Sequence, residues 1–187
     1  MRRLRAIMLL LALAGCAAPR PDAIAASGWG TEGAGLPGDI SCVPFARELS
    51  GIALAGDAHR WWAAADGRYA RSAAPAPGAV LVFRRTAALP QGHLAVVVRQ
   101  VGPREVLVTH ANWGSGADKG RVAQNQRVVD VSARNDWTSV RVWHPPTQTL
   151  GVTIFQSHGF ILPAIAADPV RLAANVPRAA RAASGTL

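Results

Sequence analysis

Three short apolar runs rich in β-branched residues set the main limit on what this 187-residue chain can form. They are AVLVF (79–83), HLAVVVRQV (93–101) and EVLVTHANW (105–113), and the turn signals LPQG and GP separate them. Such runs, divided by glycine and proline, predict antiparallel strands joined by turns. A further strand is expected around residues 127–131, and the alternating run TSVRVWHP (138–145) predicts another.

Apolar residues at helical spacing come before these strands. The segment VPFARELSGI (43–52) places its large apolar residues on one helical face, with Arg47 and Glu48 between them. Asp57 is a candidate N-cap for a second short helix, AHRWWAAA. Helices followed by an antiparallel meander predict an α+β domain, with the N-terminal helices packed on a small antiparallel β-sheet.

The N-terminus has the features of an export signal. MRRLRAIMLLLALAGC begins with three arginines and continues with an apolar run, which is too short to span a bilayer as a helix of about 20 residues. The LAGC junction resembles the bacterial lipobox, which implies a lipid on Cys16. Ala17 after it favours the outer membrane by the same resemblance. The alternative is an ordinary cleaved signal in which Cys16 is incidental.

Composition divides the chain into four parts. Residues 1–15 are the expected lipoprotein signal peptide, 16–37 an Ala/Pro/Gly-rich tether, 38–145 the folded domain, and 146–187 a partly disordered C-terminal extension. Without the three leader arginines the formal net charge of +9 becomes +6. A basic exported protein suits anionic surfaces such as phospholipid head groups or cell-wall polymers. Nucleic acid is excluded as a partner, because the chain is exported and has no reader motif.

Cys42 has no partner for a disulfide if Cys16 carries lipid. It is then either a reactive thiol or a small buried apolar residue. It stands at a predicted helix N-terminus, where the helix dipole and free N–H groups favour a thiolate. A cysteine nucleophile needs a base, and the base needs a group that holds its ring. His93 opens one strand, while His110 and Asn112 share a face of the next and are both candidates to orient it.

Five segments, in this order, resemble the CHAP family of cysteine, histidine-dependent amidohydrolases/peptidases: DISCVPFAREL, GDAHRWW, PAPGAVLVF, GHLAVVV and VLVTHANW. The resemblance covers roughly residues 38–144. It implies a papain-like α+β fold related to the NlpC-type cell-wall peptidases, with Cys42 as nucleophile and His93 as base. Many members have Glu-x-Asn-Trp where this chain has HANW (110–113), whereas NlpC-type relatives have a histidine as third residue. The choice between His110 and Asn112 therefore stays open.

The resemblance implies a lipid-anchored cell-wall hydrolase. It would cleave an amide in peptidoglycan, as stem-peptide endopeptidase or amidase, through a Cys–His thioester mechanism without a cofactor. The alternative is a weak or inactive envelope protein that binds peptidoglycan peptides. The implied location is the cell envelope, lipid-anchored, on the periplasmic face of the outer membrane; the oligomeric state stays open.

Two tryptophans are candidate substrate contacts. Trp62 lies in the predicted second helix and Trp113 ends the HANW segment. Core packing is the alternative for Trp62, and shielding of the site is the alternative for Trp113. The sequence has no H-E-x-x-H or C-x-x-C spacing, so no metal is assigned.

Overall fold

The computed structural model describes residue 36 and residues 38–185, so the expected signal peptide, Cys16 and nearly all of the tether lie outside the described residues. Within the described residues, the α-helices are α1 (Cys42–Ser50), α2 (Trp61–Ala64) and α3 (Pro169–Ser184). The strands are β1 (Arg71–Ser72), β2 (Val80–Phe83), β3 (His93–Gly102), β4 (Glu105–Ala111), β5 (Val122–Asp130), β6 (Ser139–His144), β7 (Thr149–Leu150) and β8 (Phe155–Ile161).

The strands close into a barrel. Their order is β1-β8-β2-β3-β4-β5-β6-β7, every pair is antiparallel, and β8 also pairs with β6. Six strands, β2 to β6 and β8, thus form a closed ring. The expected α+β arrangement of helices on a small sheet is wrong, because the described chain is mostly β with a closed barrel and three short helices.

The closing strand explains the error. β8 reads FQSHGFI, and its four central residues, QSHG, give neither an apolar run nor a regular alternation. Its pairing comes from partners far away in the sequence, since Ile161 lies opposite Val80 and Phe155 lies opposite Val140. The strand also lies beyond residue 145, where the sequence placed the end of the domain.

Both faces of the central strands are buried, which accounts for their continuous apolar runs. One face lines the barrel interior and the other packs under the helices. The interior cluster includes Leu81, Phe83, Ala95, Val97, Val106, Val108, Val128, Val140 and Phe160. The outer cluster joins Val80, Val82, Leu94 and Val96 to the helices.

Helices α1 and α3 cover the outer face. Phe45 and Leu49 of α1 are buried in the same cluster as Leu172 and Val176 of α3. Asp168 is the N-cap of α3, and its carboxylate accepts hydrogen bonds from the backbone N–H groups of residues 170 and 171. No helix in the described part of the chain is long and apolar enough to cross a membrane.

Candidate active site

Cys42 begins helix α1 and is almost completely buried. The N-cap residue Ser41 makes no side-chain capping bond, so its hydroxyl does not occupy the N–H groups of the first turn. Pro44 has no N–H, and the N–H of Phe45 donates to the Ser41 carbonyl oxygen. The remaining donors of the first turn are the backbone N–H groups of Cys42 and Val43, which act on the sulfur.

The thiol lies beside the start of β3. Burial raises the pKa of the Cys42 thiol, while the backbone N–H groups of Leu94, Cys42 and Val43 act on the sulfur and lower it in part. The Leu94 contact matters most for geometry, because residue 94 directly follows His93 in the chain. The net shift is upward, so the resting side chain is a neutral thiol.

His93 is buried at the end of the barrel where β2 ends and β3 begins. It lies opposite Phe83 in the strand register. The rings of Phe83 and Trp113 pack on its imidazole, with centroids 5.7 Å and 4.8 Å away. This packing fixes the position of the ring within an apolar surrounding.

A chain of hydrogen bonds leads from His93 across the barrel. The Nε2 atom of His93 is 2.9 Å from Nδ1 of His110 on β4. The Nε2 atom of His110 bonds to Oε1 of Gln126 on β5. The Nε2 group of Gln126 donates to the backbone carbonyl oxygen of Trp143 on β6, at 2.9 Å. We call these four residues the relay.

The backbone carbonyl of Trp143 sets the donor-to-acceptor direction of every hydrogen bond in the relay. A carbonyl oxygen only accepts, so it fixes the amide of Gln126 with nitrogen towards β6 and oxygen towards His110. His110 must then carry its proton on Nε2 and present a lone pair on Nδ1. Neutral His93 therefore donates from Nε2 to His110 and keeps its own lone pair on Nδ1. Cys–His catalysis requires this tautomer, in which the nitrogen opposite the orienting group is the base.

Burial keeps both imidazoles neutral. It lowers the pKa of His93 well below the ordinary value of 6.5, and the neighbouring His110 lowers it further. Burial lowers the pKa of His110 to about 4, although the Gln126 bond opposes this shift. The site at rest thus holds a thiol, two neutral imidazoles and an amide, with no charge.

Asn112, the other candidate for orienting His93, makes different contacts. It has a positive φ of 60°, and its Oδ1 accepts from the N–H of Gly120 at 3.0 Å. Its N–H donates to the carbonyl oxygen of Arg121. These bonds hold the loop after β4 in place. The structure brings His93 and His110 together, whereas the side chain of Asn112 is used in the loop.

The two tryptophans lie in different places. Trp113 is half-buried over the relay, stacked on His110 at a centroid distance of 5.3 Å. Trp62 is stacked on His158 of β8, at 5.6 Å and an interplanar angle of 12°, and the Arg71 guanidinium lies over its ring. Trp113 therefore covers the histidines, and the ring of Trp62 is occupied by protein side chains. Substrate contact by either stays a prediction.

Gln126 is the functional candidate that sequence reasoning missed. In VAQNQRVVD it has the same parity as Val128, which faces the barrel interior, and it is buried. A polar residue at an inward-facing position was the available signal, but only the folded register places it beside His110. Among the described residues no group of three His, Cys, Asp or Glu side chains is arranged to hold a metal.

A thiol at a helix N-terminus, beside the residue that follows a histidine whose ring is held through one nitrogen, is typical of cysteine-dependent hydrolase sites. The model of the CHAP domain family matches residues 29–112, a segment that includes Cys42, His93 and His110. This match supports a CHAP domain in residues 29–112. Such domains are typically hydrolases of the amidase or peptidase type, and this one suggests a peptidoglycan hydrolase or amidase function. No curated protein is significantly similar to the chain.

Proposed function

We propose that this protein is a lipid-anchored cell-wall hydrolase that cleaves an amide bond of peptidoglycan through a thioester on Cys42. The observation that supports it most is the relay, because its fixed polarity leaves a basic lone pair on Nδ1 of His93. The position of the thiol beside residue 94 supports proton transfer to that nitrogen.

The reaction begins from the neutral pair. His93 Nδ1 takes the thiol proton as the sulfur of Cys42 attacks the carbonyl carbon of the amide. The new C–S bond forms as the carbonyl π pair moves to oxygen. The resulting imidazolium donates its Nε2 proton to the lone pair of His110, which is the contact that steadies it. Collapse of the intermediate breaks the C–N bond, and His93 returns the proton to the departing amine.

Water completes the cycle. His93, neutral again, takes a proton from the water that attacks the thioester carbonyl. The C–S bond breaks, the proton returns to sulfur, and the product carboxylic acid leaves. The negative oxygen in both intermediates needs donors at the helix terminus. The backbone N–H groups of Cys42 and Val43 are available for this role, since Ser41 makes no side-chain cap.

A second function has one observation in its favour. The group that bonds to His93 is a neutral imidazole, and it stabilises an imidazolium less than a carboxylate does. This favours a protein that binds wall peptides and cleaves them slowly or not at all. A thiol-reactive probe at neutral pH separates the two, since an activated Cys42 is labelled quickly and His93→Ala slows that labelling, whereas an inert thiol gives equal rates.

The direct test is product analysis. Purified peptidoglycan is incubated with the full-length protein and with Cys42→Ser, and the released fragments are identified by mass spectrometry. We expect new amine and carboxyl ends at a single type of amide bond with the wild type alone. Absence of any new end over a range of wall preparations would refute the hydrolase.

The lipid anchor has its own test. The LAGC junction motivates it, and Cys16 lies outside the described residues. We expect wild type in the membrane fraction and Cys16→Ser in the soluble fraction after cell lysis. Equal recovery of both in the membrane fraction would contradict the anchor while leaving the hydrolase proposal untouched.

A further inference from the structure

Three cationic or titratable side chains lie at the end of the barrel that carries His93. Arg84 directly follows β2, and its Nε donates to the carbonyl oxygen of Ser157 at 3.0 Å. His158 on β8 is held against Trp62 by ring stacking. His59 donates from Nδ1 to the carbonyl oxygen of Gln91 at 3.2 Å. We call Arg84, His59 and His158 the basic cluster.

Arg84 and His59 are each held by a bond to a carbonyl oxygen. Carbonyl oxygens occupy Nε of Arg84 and Nδ1 of His59, so the terminal guanidinium nitrogens remain as donors, and Nε2 of His59 is a donor in the protonated imidazole. His158 is held by stacking on Trp62, and Gly159 leaves room for the Trp62 ring. A Cβ at residue 159 would lie 3.4 Å from that ring and 2.7 Å from the Ser72 carbonyl oxygen. The side chains are therefore anchored, not free in solvent.

No ion pair among the described residues involves the basic cluster. The ion pairs found there involve Arg71, Arg104, Arg127 and Arg134 instead. Asp57 lies near His59 in sequence, but its carboxylate accepts from the Gln91 amide and forms no ion pair with the cluster. The three groups also repel one another: after burial, the charges of Arg84 and His59 lower the pKa of His158. An anion placed between them would remove that repulsion.

The basic cluster lies within reach of a substrate bound at the thiol. In the barrel register Ser157 lies opposite Phe83, and Phe83 lies opposite His93. Two strand spacings separate Ser157 from His93, which is about 10 Å. The backbone N–H of His59 also donates to Gln91, two residues before His93. About three extended peptide residues span this distance.

We propose that the basic cluster binds a free carboxylate of the peptide substrate, next to the scissile amide. This rests on the proposed function, because it names the chemical class of substrate for the same site. Arg84 is the main contact, since a guanidinium matches the two oxygens of a carboxylate in one plane. Each histidine adds a donor in its protonated form.

The test compares a synthetic stem peptide that carries a free carboxylate with the same peptide carrying a carboxamide there. Full-length wild type, Arg84→Gln and the control Arg99→Gln are assayed for cleavage of both. Arg99 is exposed on the same strand as His93, about 20 Å further along it, and its loss removes the same charge. We expect Arg84→Gln to raise KM for the carboxylate peptide about 10-fold with little change for the carboxamide, and Arg99→Gln to behave as wild type.

Two further measurements keep the outcomes distinct. Arg84→Lys retains the charge and loses the anchoring bond to Ser157, so it should keep part of the preference for the carboxylate peptide. If Arg84→Gln and Arg84→Lys instead lower kcat/KM equally for both peptides, Arg84 has a structural role and the proposal is overturned. Full-length Cys42→Ser reports binding without cleavage by calorimetry. Preference for the carboxylate by this variant, with no cleavage by wild type, would refute the hydrolase and support the subsite. Cleavage of both peptides by wild type without any carboxylate preference would support the hydrolase and refute the subsite.

Discussion

The relay and the basic cluster solve opposite electrostatic problems. The relay from His93 to the Trp143 carbonyl is buried, uncharged and linked by hydrogen bonds throughout. Arg84, His59 and His158 of the basic cluster are partly or wholly solvent-exposed and form no ion pair among the described residues. The relay controls where protons sit, whereas the basic cluster presents donors to a bound ligand.

The difference shows why a histidine can replace an acid in this barrel. A carboxylate at position 110 would have to be desolvated in an interior where burial already holds both histidine pKa values low. The relay orients His93 without that cost, because only dipoles and neutral donors line up. We expect a histidine at position 110 to stabilise the imidazolium of His93 less than a carboxylate would, so that His93 stays unprotonated down to a lower pH.

The largest effect should come from the nucleophile and base. Cys42→Ala and His93→Ala should each lower kcat/KM by at least about 10³-fold, and the double variant should be no worse than either, because the residues act as one unit. Circular dichroism and thermal unfolding serve as controls for folding. Losses that multiply in the double variant would contradict a shared role.

Substitutions of His110 should have the second-largest effect on catalysis. His110→Ala removes the acceptor of the His93 Nε2–H, so we expect kcat to fall about 10- to 100-fold with KM nearly unchanged. His110→Glu restores the commoner family residue, but Oε1 of Gln126 would then face a carboxylate, and the Trp143 carbonyl prevents the amide from turning. We therefore expect His110→Glu to be less active than wild type. Steady-state kinetics on a stem peptide measures both, and a gain in kcat for His110→Glu would refute the fixed polarity.

How much of this site could be read from the sequence depends on the range of the interactions. Cys42, His93 and His110 sit in segments whose local pattern marks a helix start and two strands. Gln126 and β8 do not, because the register of β5 against β4 brings Gln126 to His110, and pairing with β2 and β6 makes a strand of FQSHGFI. The closed barrel could not be predicted for the same reason. Its closing contact pairs residues 139–140 with residues 155–156, and the latter lie in a segment whose sequence has only a weak strand pattern.

Gln126 should have a smaller effect with a distinct pH signature. Gln126→Met removes the acceptor of the His110 Nε2–H, so the tautomer is no longer fixed and we expect kcat to fall about 10-fold. Because the pKa of His93 is lowered, the acid limb of kcat/KM in wild type should lie below pH 6.5. Gln126→Glu places a negative charge next to His110, favours protonated imidazoles and should move that limb to higher pH. A pH–rate profile measures this, and an unchanged limb in Gln126→Glu would mean that the relay does not reach the base.

The smallest effect on catalysis should come from Asn112, and it sharpens the comparison between the two candidate orienters. Its side chain holds Gly120, whose carbonyl oxygen accepts the N–H of Ile40, two residues before Cys42. Asn112→Ala loses this bond and puts alanine in a left-handed conformation, so we expect about 1–3 kcal/mol less stability.

Asn112→Gly loses only the bond, because glycine adopts a positive φ without strain, and should unfold at a temperature between those of wild type and Asn112→Ala. Both variants should keep kcat within about 3-fold at temperatures far below unfolding, since neither touches the His93 ring. Thermal unfolding and kinetics on the same samples separate the two effects. If Asn112→Ala lowers kcat more than His110→Ala does, the base is oriented through the loop after β4, and the relay across the barrel only supports the fold.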